Sequence, residues 1–203
     1  MLIAVEDLAQ AARQIEERHG LASLEGGRHR DWGTANRIVP LGDSYLELVT
    51  VVEPAKAARS AFGRWVAESA GPEPAPFGWA VRTRNLAGVV TRLGLLEVTA
   101  GSRTMNDGRV LHWRLAGIEE AAAEPFLPFF IEWGRGTPFP GRSDGGRHGD
   151  LPPKIAQLHL LGDPERLADW IGASRLPVLV RLGTPCLSSV VLSRADGEPV
   201  ILP

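Results

Sequence analysis

The stretch at positions 26–52 reads GGRHRDWGTANRIVPLGDSYLELVTVV, and the interpretation of the whole chain starts from it. It predicts a glycine-flanked polar loop followed by two strands, at 36–40 and 45–52, with the turn composition Leu-Gly-Asp-Ser between them. We expect these strands to form a hairpin. Side chains alternate across a strand, so Glu47 lies on one face while Leu46 and Leu48 lie on the other. One face of the predicted sheet must therefore accommodate a carboxylate.

Composition narrows the range of partners and compartments. The chain has 203 residues, 44% hydrophobic and 23% charged, as is typical of a globular protein of one or two domains. Its formal net charge of -2 and pI of about 6.2 do not provide the excess positive charge that binds nucleic acid or an anionic membrane. The single cysteine, Cys186, excludes an intramolecular disulfide and a multi-thiolate metal site. No apolar run reaches the roughly 20 residues that span a bilayer, and the N-terminus MLIAVEDL lacks a signal-peptide pattern, so we expect a cytoplasmic protein.

Three candidate helix caps, Asp7, Asn85 and Asp163, stand at equal intervals along the chain. Each follows a strand-like segment and precedes apolar residues at helical spacing, which predicts a repeated strand-helix unit. A further helix is predicted at 55–70, and the Pro/Gly-rich segment 71–78 is interpreted as a linker. Strand-like segments follow the second and third repeated helices.

The fold class predicted from this order is α+β. The order predicts repeated βαβββ modules, the third of them abbreviated. The predicted units are a first module with its linking helix at 1–71, a second at 76–134 and an abbreviated third at 154–203.

The chain also resembles a known family. The repeat, together with GGRHRDWGTANRIVPLGDSYLELV, PFGWAVRTRNLAGVVTRLGL and LPFFIEWGRGTPFPG, looks like the glyoxalase-like branch of the vicinal oxygen chelate superfamily. The resemblance spans nearly the whole chain. It implies two βαβββ modules in a curved mixed sheet, an incomplete barrel with helices on its convex side. The concave face of that sheet is expected to hold a ligand, commonly together with a divalent metal.

The resemblance argues against the usual metal site. In metal-dependent members the ligands come from the first and last strands of each module, and Glu47 and Glu132 match the two carboxylate positions. The histidine positions are not matched, because one would precede Met1 and the other falls on Gly78 or Pro76. Carboxylates without imidazole or thiolate suit zinc, nickel or iron poorly, so no metal or other cofactor is predicted. One hypothesis is that the native N-terminus extends upstream of Met1 and completes the first strand and the site.

Glu47 and His29 are the candidate catalytic residues. Glu47 could transfer a proton from the concave face, or it could be an ordinary exposed carboxylate. His29 could act as a base or bind ligand, or the polar groups around it could bond the backbone of a structured turn. The resemblance favours the functional interpretation of His29, because the His-x-x-x-Gly-Thr-x-Asn pattern looks like the family's own.

Eight further residues are candidates for substrate binding. Arg114 could bind an acidic group, or it could form a structural ion pair on a solvated face with His112. Trp79 and Trp133 could line the pocket, although core packing is the default for strand aromatics. The full set is Thr34, Asn36, Arg37, Trp79, His112, Arg114, Glu132 and Trp133. The glycine-rich loop at 134–150 could close over the pocket or simply be flexible.

These features predict a glyoxalase-like protein that binds a small organic molecule in a concave sheet pocket. By resemblance, its chemistry would be a proton-transfer, isomerase or lyase step. The alternatives are a non-catalytic protein that sequesters a small molecule, and a metal-dependent enzyme if an upstream strand completes the site. Homodimer formation is possible by resemblance, but the sequence indicates no interface.

Overall fold

A computed structural model describes residues 1–95, 97–105, 108–143 and 152–203. The glycine-rich loop at 134–150, for which closure over the pocket and simple flexibility were both left open, therefore lies partly outside the described residues. Thirteen strands and six α-helices are defined in these ranges, with a short 3-10 turn at Pro140–Arg142.

The first module has the predicted βαβββ order. Its elements are β1 Leu2–Ala4, α1 Leu8–His19, β2 Leu24–His29, β3 Thr34–Pro40 and β4 Tyr45–Val51. The expected hairpin is β3 and β4, which pair antiparallel. β1 runs parallel to β4 and places Leu2 opposite Glu47.

The second module repeats this topology after a linking segment. The linking elements are α2 Pro54–Ala57, α3 Ala61–Ser69 and β5 Ala75–Gly78. The module consists of β6 Ala80–Arg82, α4 Leu86–Leu93, β7 Val98–Thr104, β8 Val110–Ala116 and β9 Phe129–Trp133, with α5 Ile118–Ala123 between β8 and β9. β6 runs parallel to β9, as β1 does to β4.

The two modules share one nine-stranded sheet of order β5-β1-β4-β3-β2-β7-β8-β9-β6. They join where β2 meets β7, through the pair Arg28 and Thr104. The predicted α+β class with repeated βαβββ modules in a curved sheet is confirmed.

The third unit forms a separate sheet. Its elements are β10 Lys154–Leu161, α6 Pro164–Ile171, β11 Val178–Arg181, β12 Cys186–Ser193 and β13 Val200–Leu202. The strand order is β11-β10-β12-β13, so its first strand pairs in parallel with the strand directly after the helix. The unit keeps the element order of a module, but its strand pairing differs from that of the first two.

The three predicted helix caps are confirmed. Asp7 accepts hydrogen bonds from the amides of Ala9 and Gln10, and Asn85 accepts one from Gly88. Asp163 accepts from the first turn of α6. These side chains satisfy amides that an α-helix leaves without intrahelical partners.

Three local predictions are corrected. The polar stretch from position 26 is not a loop up to His29, because 24–29 form β2, with an irregular register between Glu25 and Gly27. Part of the supposed linker is β5, which pairs antiparallel with β1. The helix predicted at 55–70 is divided into α2 and α3, since Ser60 caps a new helix by accepting from the amide of Gly63.

The large sheet has two buried faces. We call the face that carries Glu47 the inner face and the face that carries Leu46 and Leu48 the outer face. Apolar residues of α1, α4, α6 and the four-stranded sheet pack with the outer face. Apolar residues of α3 and α5 pack with the inner face, so the helices are not confined to one side.

Candidate functional site

A cavity of about 40 Å³ lies at the inner face, between strands of both modules. Its wall is mainly aromatic and aliphatic. The polar side chains that line it are His29, Asn36, Tyr45, Glu47 and Arg103. Its aromatic lining includes Trp32, Phe62, Trp113, Phe129 and Trp133.

Asn36 is the centre of the polar network. Its Oδ1 accepts hydrogen bonds from the amide of Gly27 at 3.1 Å and from Arg103 Nη1 at 3.0 Å. Its Nδ2 donates to Glu47 Oε1 at 2.6 Å and lies 3.3 Å from His29 Nε2. Both hydrogens and both lone pairs of this buried amide are therefore used, which fixes its orientation.

His29 is held in one tautomer by this arrangement. Since Asn36 turns its NH₂ group towards the imidazole, His29 Nε2 accepts, and Nδ1 carries the proton that it donates to Thr34 Oγ1 at 2.9 Å. Trp32 and Trp113 enclose the ring at centroid distances of 5.5 and 5.6 Å. Burial among them lowers the pKa of His29 to about 4, although the nearby Glu47 carboxylate raises it. The imidazole is neutral at pH 7.

Glu47 is a buried carboxylate, 8% exposed, close to neutral His29. Its Oε1 lies 3.8 Å from His29 Nε2, beyond direct hydrogen-bonding distance. Tyr45 lies two residues before Glu47 on β4. Burial and the Glu47 charge raise the pKa of the Tyr45 hydroxyl, so this hydroxyl stays protonated. The amino group of Met1 also reaches this region, and burial lowers its pKa to about 6.

Sequence reasoning did not identify Arg103, which lies on β7 and is 5% exposed. Burial lowers the pKa of its guanidinium, while Glu47 opposes that shift. The side chain of Arg103 crosses β2 at Gly27. A Cβ atom added to Gly27 would stand 2.7 Å from Arg103 Cγ. Paired glycines at 26 and 27 in a strand were the available signal, since glycine there marks close approach of another group.

Two residues that line the cavity each have a buried N–H group without a hydrogen-bond partner among the described residues. These groups are Arg103 Nε and Trp133 Nε1. The ring of Trp133 packs against Trp113 at 5.3 Å and Tyr45 at 6.5 Å, which holds its position. Trp133 thus lies at the cavity.

Glu132 is not the counterpart of Glu47. Leu2 pairs with Glu47 and Ala80 pairs with Phe129, and Leu2 and Ala80 stand at the same distance from their helix caps. Phe129 therefore takes the position that Glu47 has in the first module. Glu132 lies on the outer face, where it accepts from the amide of Leu86 at the start of α4 and forms an ion pair with Arg114.

Four other predicted binding residues also lie away from the cavity. His112 and Arg114 are on the outer side of β8, while their neighbours Leu111, Trp113 and Leu115 face inwards. Arg37, on the outer side of β3, donates to the hydroxyl and carbonyl of Ser23. Trp79 is in the outer-face core, where its Nε1 donates to the carbonyl of Phe126 at 3.1 Å. Of the ten predicted residues, His29, Asn36, Glu47 and Trp133 line the cavity, and Thr34 supports it through His29.

The model of a family described as "Glyoxalase-like domain" matches residues 1–174. The chain belongs to this family. The resemblance stated from the sequence is therefore confirmed. No curated protein matches the sequence.

Solved structures of low sequence identity are similar to this chain. A hypothetical protein from Staphylococcus aureus is similar with a TM-score of 0.63 and 14% identity, over 98% of this chain and 82% of that one. A methylmalonyl-CoA epimerase from Mycobacterium tuberculosis matches with a TM-score of 0.43 and 15% identity, over 65% and 83% of the two chains. A variant of the Streptomyces coelicolor methylmalonyl-CoA epimerase, in complex with 2-nitronate-propionyl-CoA, gives 0.46 and 16%, over 68% and 94%.

Superfamily relatives of this glyoxalase-like domain often use a divalent metal, but the donors in its cavity do not fit one. Among the described residues, no three His, Cys, Asp or Glu side chains are grouped so that they could hold a metal ion. Phe129 stands where a second carboxylate would be needed, and Asn36 directs hydrogens, not lone pairs, towards Glu47 and His29. In the described part of the chain, no helix is long and apolar enough to cross a membrane.

A groove of about 830 Å³ lies beside the cavity. The α2–α3 junction forms one wall of the groove and the start of α5 forms the other. Arg64 Nη2 on α3 and Glu119 Oε1 on α5 form an ion pair at 3.9 Å between these helices. Trp32, Phe62 and Leu115 line both the groove and the cavity. These three side chains are the partition between the two spaces.

Proposed function

We propose that this glyoxalase-like domain binds a small organic molecule in the inner-face cavity and transfers a proton on it, with Glu47 as the base. The observation that carries the proposal is a buried carboxylate that faces an aromatic cavity beside a neutral imidazole. A base enclosed in this way meets its substrate away from bulk water, which strengthens electrostatic interactions.

The neighbours of Glu47 support this role through position. Asn36 donates to Glu47 Oε1 and to His29 Nε2, so it fixes the carboxylate relative to the imidazole. Thr34 fixes the opposite edge of the same imidazole. A preorganised carboxylate of this kind needs little rearrangement when a substrate C–H group arrives. The proposed reaction class is proton transfer at a carbon acid, as in isomerase and lyase steps.

Deuterium exchange tests the proposal. Small carbonyl compounds are incubated with the protein in D₂O, and loss of C–H signal next to the carbonyl is followed by proton NMR. We expect exchange above the buffer rate, and a decrease of about 100-fold or more in Glu47→Gln, because a positioned general base contributes on that scale.

Glu132→Gln is the matched control. Glu132 is also a strand glutamate, but it lies on the outer face, so its variant should exchange at the wild-type rate. Thermal unfolding of both variants checks that the fold is retained. Exchange by Glu47→Gln at the wild-type rate would show that Glu47 is not the base.

Sequestration without turnover is the second candidate. It is favoured by the hydrogen bonds of Asn36, which all go to protein groups. The hydrogen-bonding capacity of this side chain is therefore satisfied without a ligand. Saturable binding of a compound with no exchange above the buffer rate, in wild type and Glu47→Gln alike, would support this candidate over catalysis.

A further inference from the structure

Arg103 Nε and Trp133 Nε1 point to one kind of ligand atom. Both are N–H donors, both are buried, and neither has a partner among the described residues. A buried donor without an acceptor is unfavourable, because it has lost its hydrogen bonds to water without replacement. An acceptor oxygen on a ligand would satisfy them. Both residues line the same cavity, so a single group could meet both.

The charge of the cavity limits what that oxygen can belong to. Among the described side chains that line it, Arg103 is cationic and Glu47 anionic, while His29 is neutral. The amino group of Met1 is also mostly neutral at pH 7, since burial lowers its pKa to about 6. A carboxylate ligand would add a second buried anion without a second cation, which is costly. A neutral ligand leaves the charges balanced.

The volume limits the size of the group. About 40 Å³ is available, and one water molecule needs roughly 10–15 Å³ on this measure. The cavity therefore accepts a group of about four non-hydrogen atoms in its present shape. Most of its wall is aromatic or aliphatic, which suits alkyl substituents next to the oxygen.

We propose that the cavity selects a small neutral carbonyl compound, such as a ketone or amide, over a carboxylate, with the carbonyl oxygen accepting from Arg103 Nε and Trp133 Nε1. This inference rests on the proposed function and adds to it the class of substrate. It also assigns specificity to two residues that the proton-transfer proposal does not use.

The assignment is consistent with the chemistry of the proposed step. When Glu47 takes a proton from the carbon next to the carbonyl, the C–H bond breaks and an O–H bond forms on the carboxylate. The C–H electron pair becomes part of a carbon–carbon double bond, and the carbonyl π pair moves onto oxygen. Negative charge thus moves from Glu47 to the oxygen beside Arg103, so the net charge of the cavity does not change. Donors aimed at an oxygen that gains charge stabilise the transition state.

Acetone, acetamide and acetate test the selectivity, because they have nearly the same size and differ in charge. Binding is followed through the indole N–H resonance of Trp133 in ¹⁵N-labelled protein, which is identified by its absence from Trp133→Phe. We expect acetone and acetamide to shift this resonance saturably, with dissociation constants at least about tenfold below that of acetate. Equal or tighter binding of acetate would overturn the inference.

Two variants test the donors separately. Trp133→Phe removes one N–H and keeps a ring, and we expect about a tenfold weaker affinity for acetone, measured from backbone amide shifts. Trp79→Phe is the matched control, because Trp79 Nε1 bonds a backbone carbonyl in the outer-face core. Arg103→Met should weaken acetone binding further, with thermal unfolding measured to confirm that the variant folds.

The outcomes separate the two proposals. Unchanged affinity in both Trp133→Phe and folded Arg103→Met would overturn the assignment of the donors alone. Saturable binding of none of the three compounds would overturn the substrate class proposed here, whereas exchange in Glu47→Gln at the wild-type rate would overturn the proposed base. Preference for acetate would leave a binding site in place and overturn only the substrate class.

Discussion

At the scale of single residues, Asn36 connects the two modules, because it contacts His29 and Glu47 of the first module and Arg103 of the second. Its position in a Thr-x-Asn sequence after a candidate histidine predicted a polar site, and the structure brings Thr34, Asn36 and His29 together. Arg103 could not be inferred in the same way. It lies 67 positions further along the chain and reaches Asn36 because β2 meets β7. A residue supplied by the other module has no local signature beyond the glycine that makes room for it.

His29 gives a pH dependence of stability. Its pKa falls from the ordinary value of 6.5 to about 4 on folding, so the unfolded chain takes up this proton at a higher pH than the folded protein does. Above pH 6.5 neither state is protonated here, and the contribution to stability is complete. As the pH falls from 6.5 towards 4, the unfolded state is favoured, by about 2 kcal/mol at pH 5. We expect the free energy of unfolding in urea to fall accordingly.

Comparison with His29→Gln isolates this effect from other titrating groups. The variant should lose about 2 kcal/mol less than wild type between pH 7.5 and pH 5. His112→Gln is the control, because His112 is an exposed histidine on the outer face and its removal should leave the wild-type slope. The same slope for wild type and His29→Gln would contradict a neutral, buried imidazole.

At the scale of elements, alternation along a strand grouped residues correctly but did not say which face held the pocket. Glu132, Arg114 and His112 do share one face, and Glu132 pairs with Arg114 across β8 and β9. That face is the outer one, because the parallel pairing of β6 with β9 puts Phe129 opposite Ala80. Register between distant strands depends on tertiary packing, which local patterns do not contain. The starts of α1, α4 and α6 were predicted correctly because their capping residues act within one turn.

Gly27 is the element-scale determinant of the junction between the modules. A Cβ atom there would stand 2.7 Å from Arg103 Cγ and 2.8 Å from the carbonyl of Thr104. Gly27→Ala should therefore push β2 and β7 apart and displace Arg103, with a loss of about 2 kcal/mol in the free energy of unfolding. It should also weaken acetone binding.

Gly71→Ala provides the matched control for this substitution. No atom lies within 4 Å of a Cβ built at Gly71, so the change should stay within about 0.5 kcal/mol of wild type. Urea unfolding measures both variants. Equal stability of the two would mean that the strands have room for a methyl group at the junction.

At the scale of the whole molecule, the sequence predicted three units. In the third unit, the repeated order of elements does not predict how the strands pair. Its strand-helix start is the same as in the modules, yet β10 pairs with β11 and β12 in a separate sheet. The apolar face of that sheet packs with the outer-face core together with α1, α4 and α6. The third unit thus helps to bury the side of the large sheet opposite the cavity, and the cavity itself is built by the two modules.

We expect the partition between cavity and groove to limit the length of the ligand that the cavity can hold. Phe62 from α3 and Trp32 from the β2–β3 turn pack with their ring centroids 5.1 Å apart and line both spaces. In wild type, ketones longer than acetone should gain little affinity, since the cavity of about 40 Å³ is already filled. Phe62→Leu shortens the partition and opens a path to the groove. Each added methylene should then tighten binding by about fourfold, from the burial of one CH₂ group.

Amide shift titrations with acetone, butan-2-one and pentan-2-one measure this length dependence. Phe77→Leu is the control, because Phe77 packs on Trp65 at 4.9 Å and is not among the residues that line the cavity. It should keep the flat wild-type dependence at a similar cost in stability. A steep dependence already present in wild type would show that longer ligands pass Trp32 and Phe62 without help. The same flat dependence in Phe62→Leu would place the entrance elsewhere in the cavity wall.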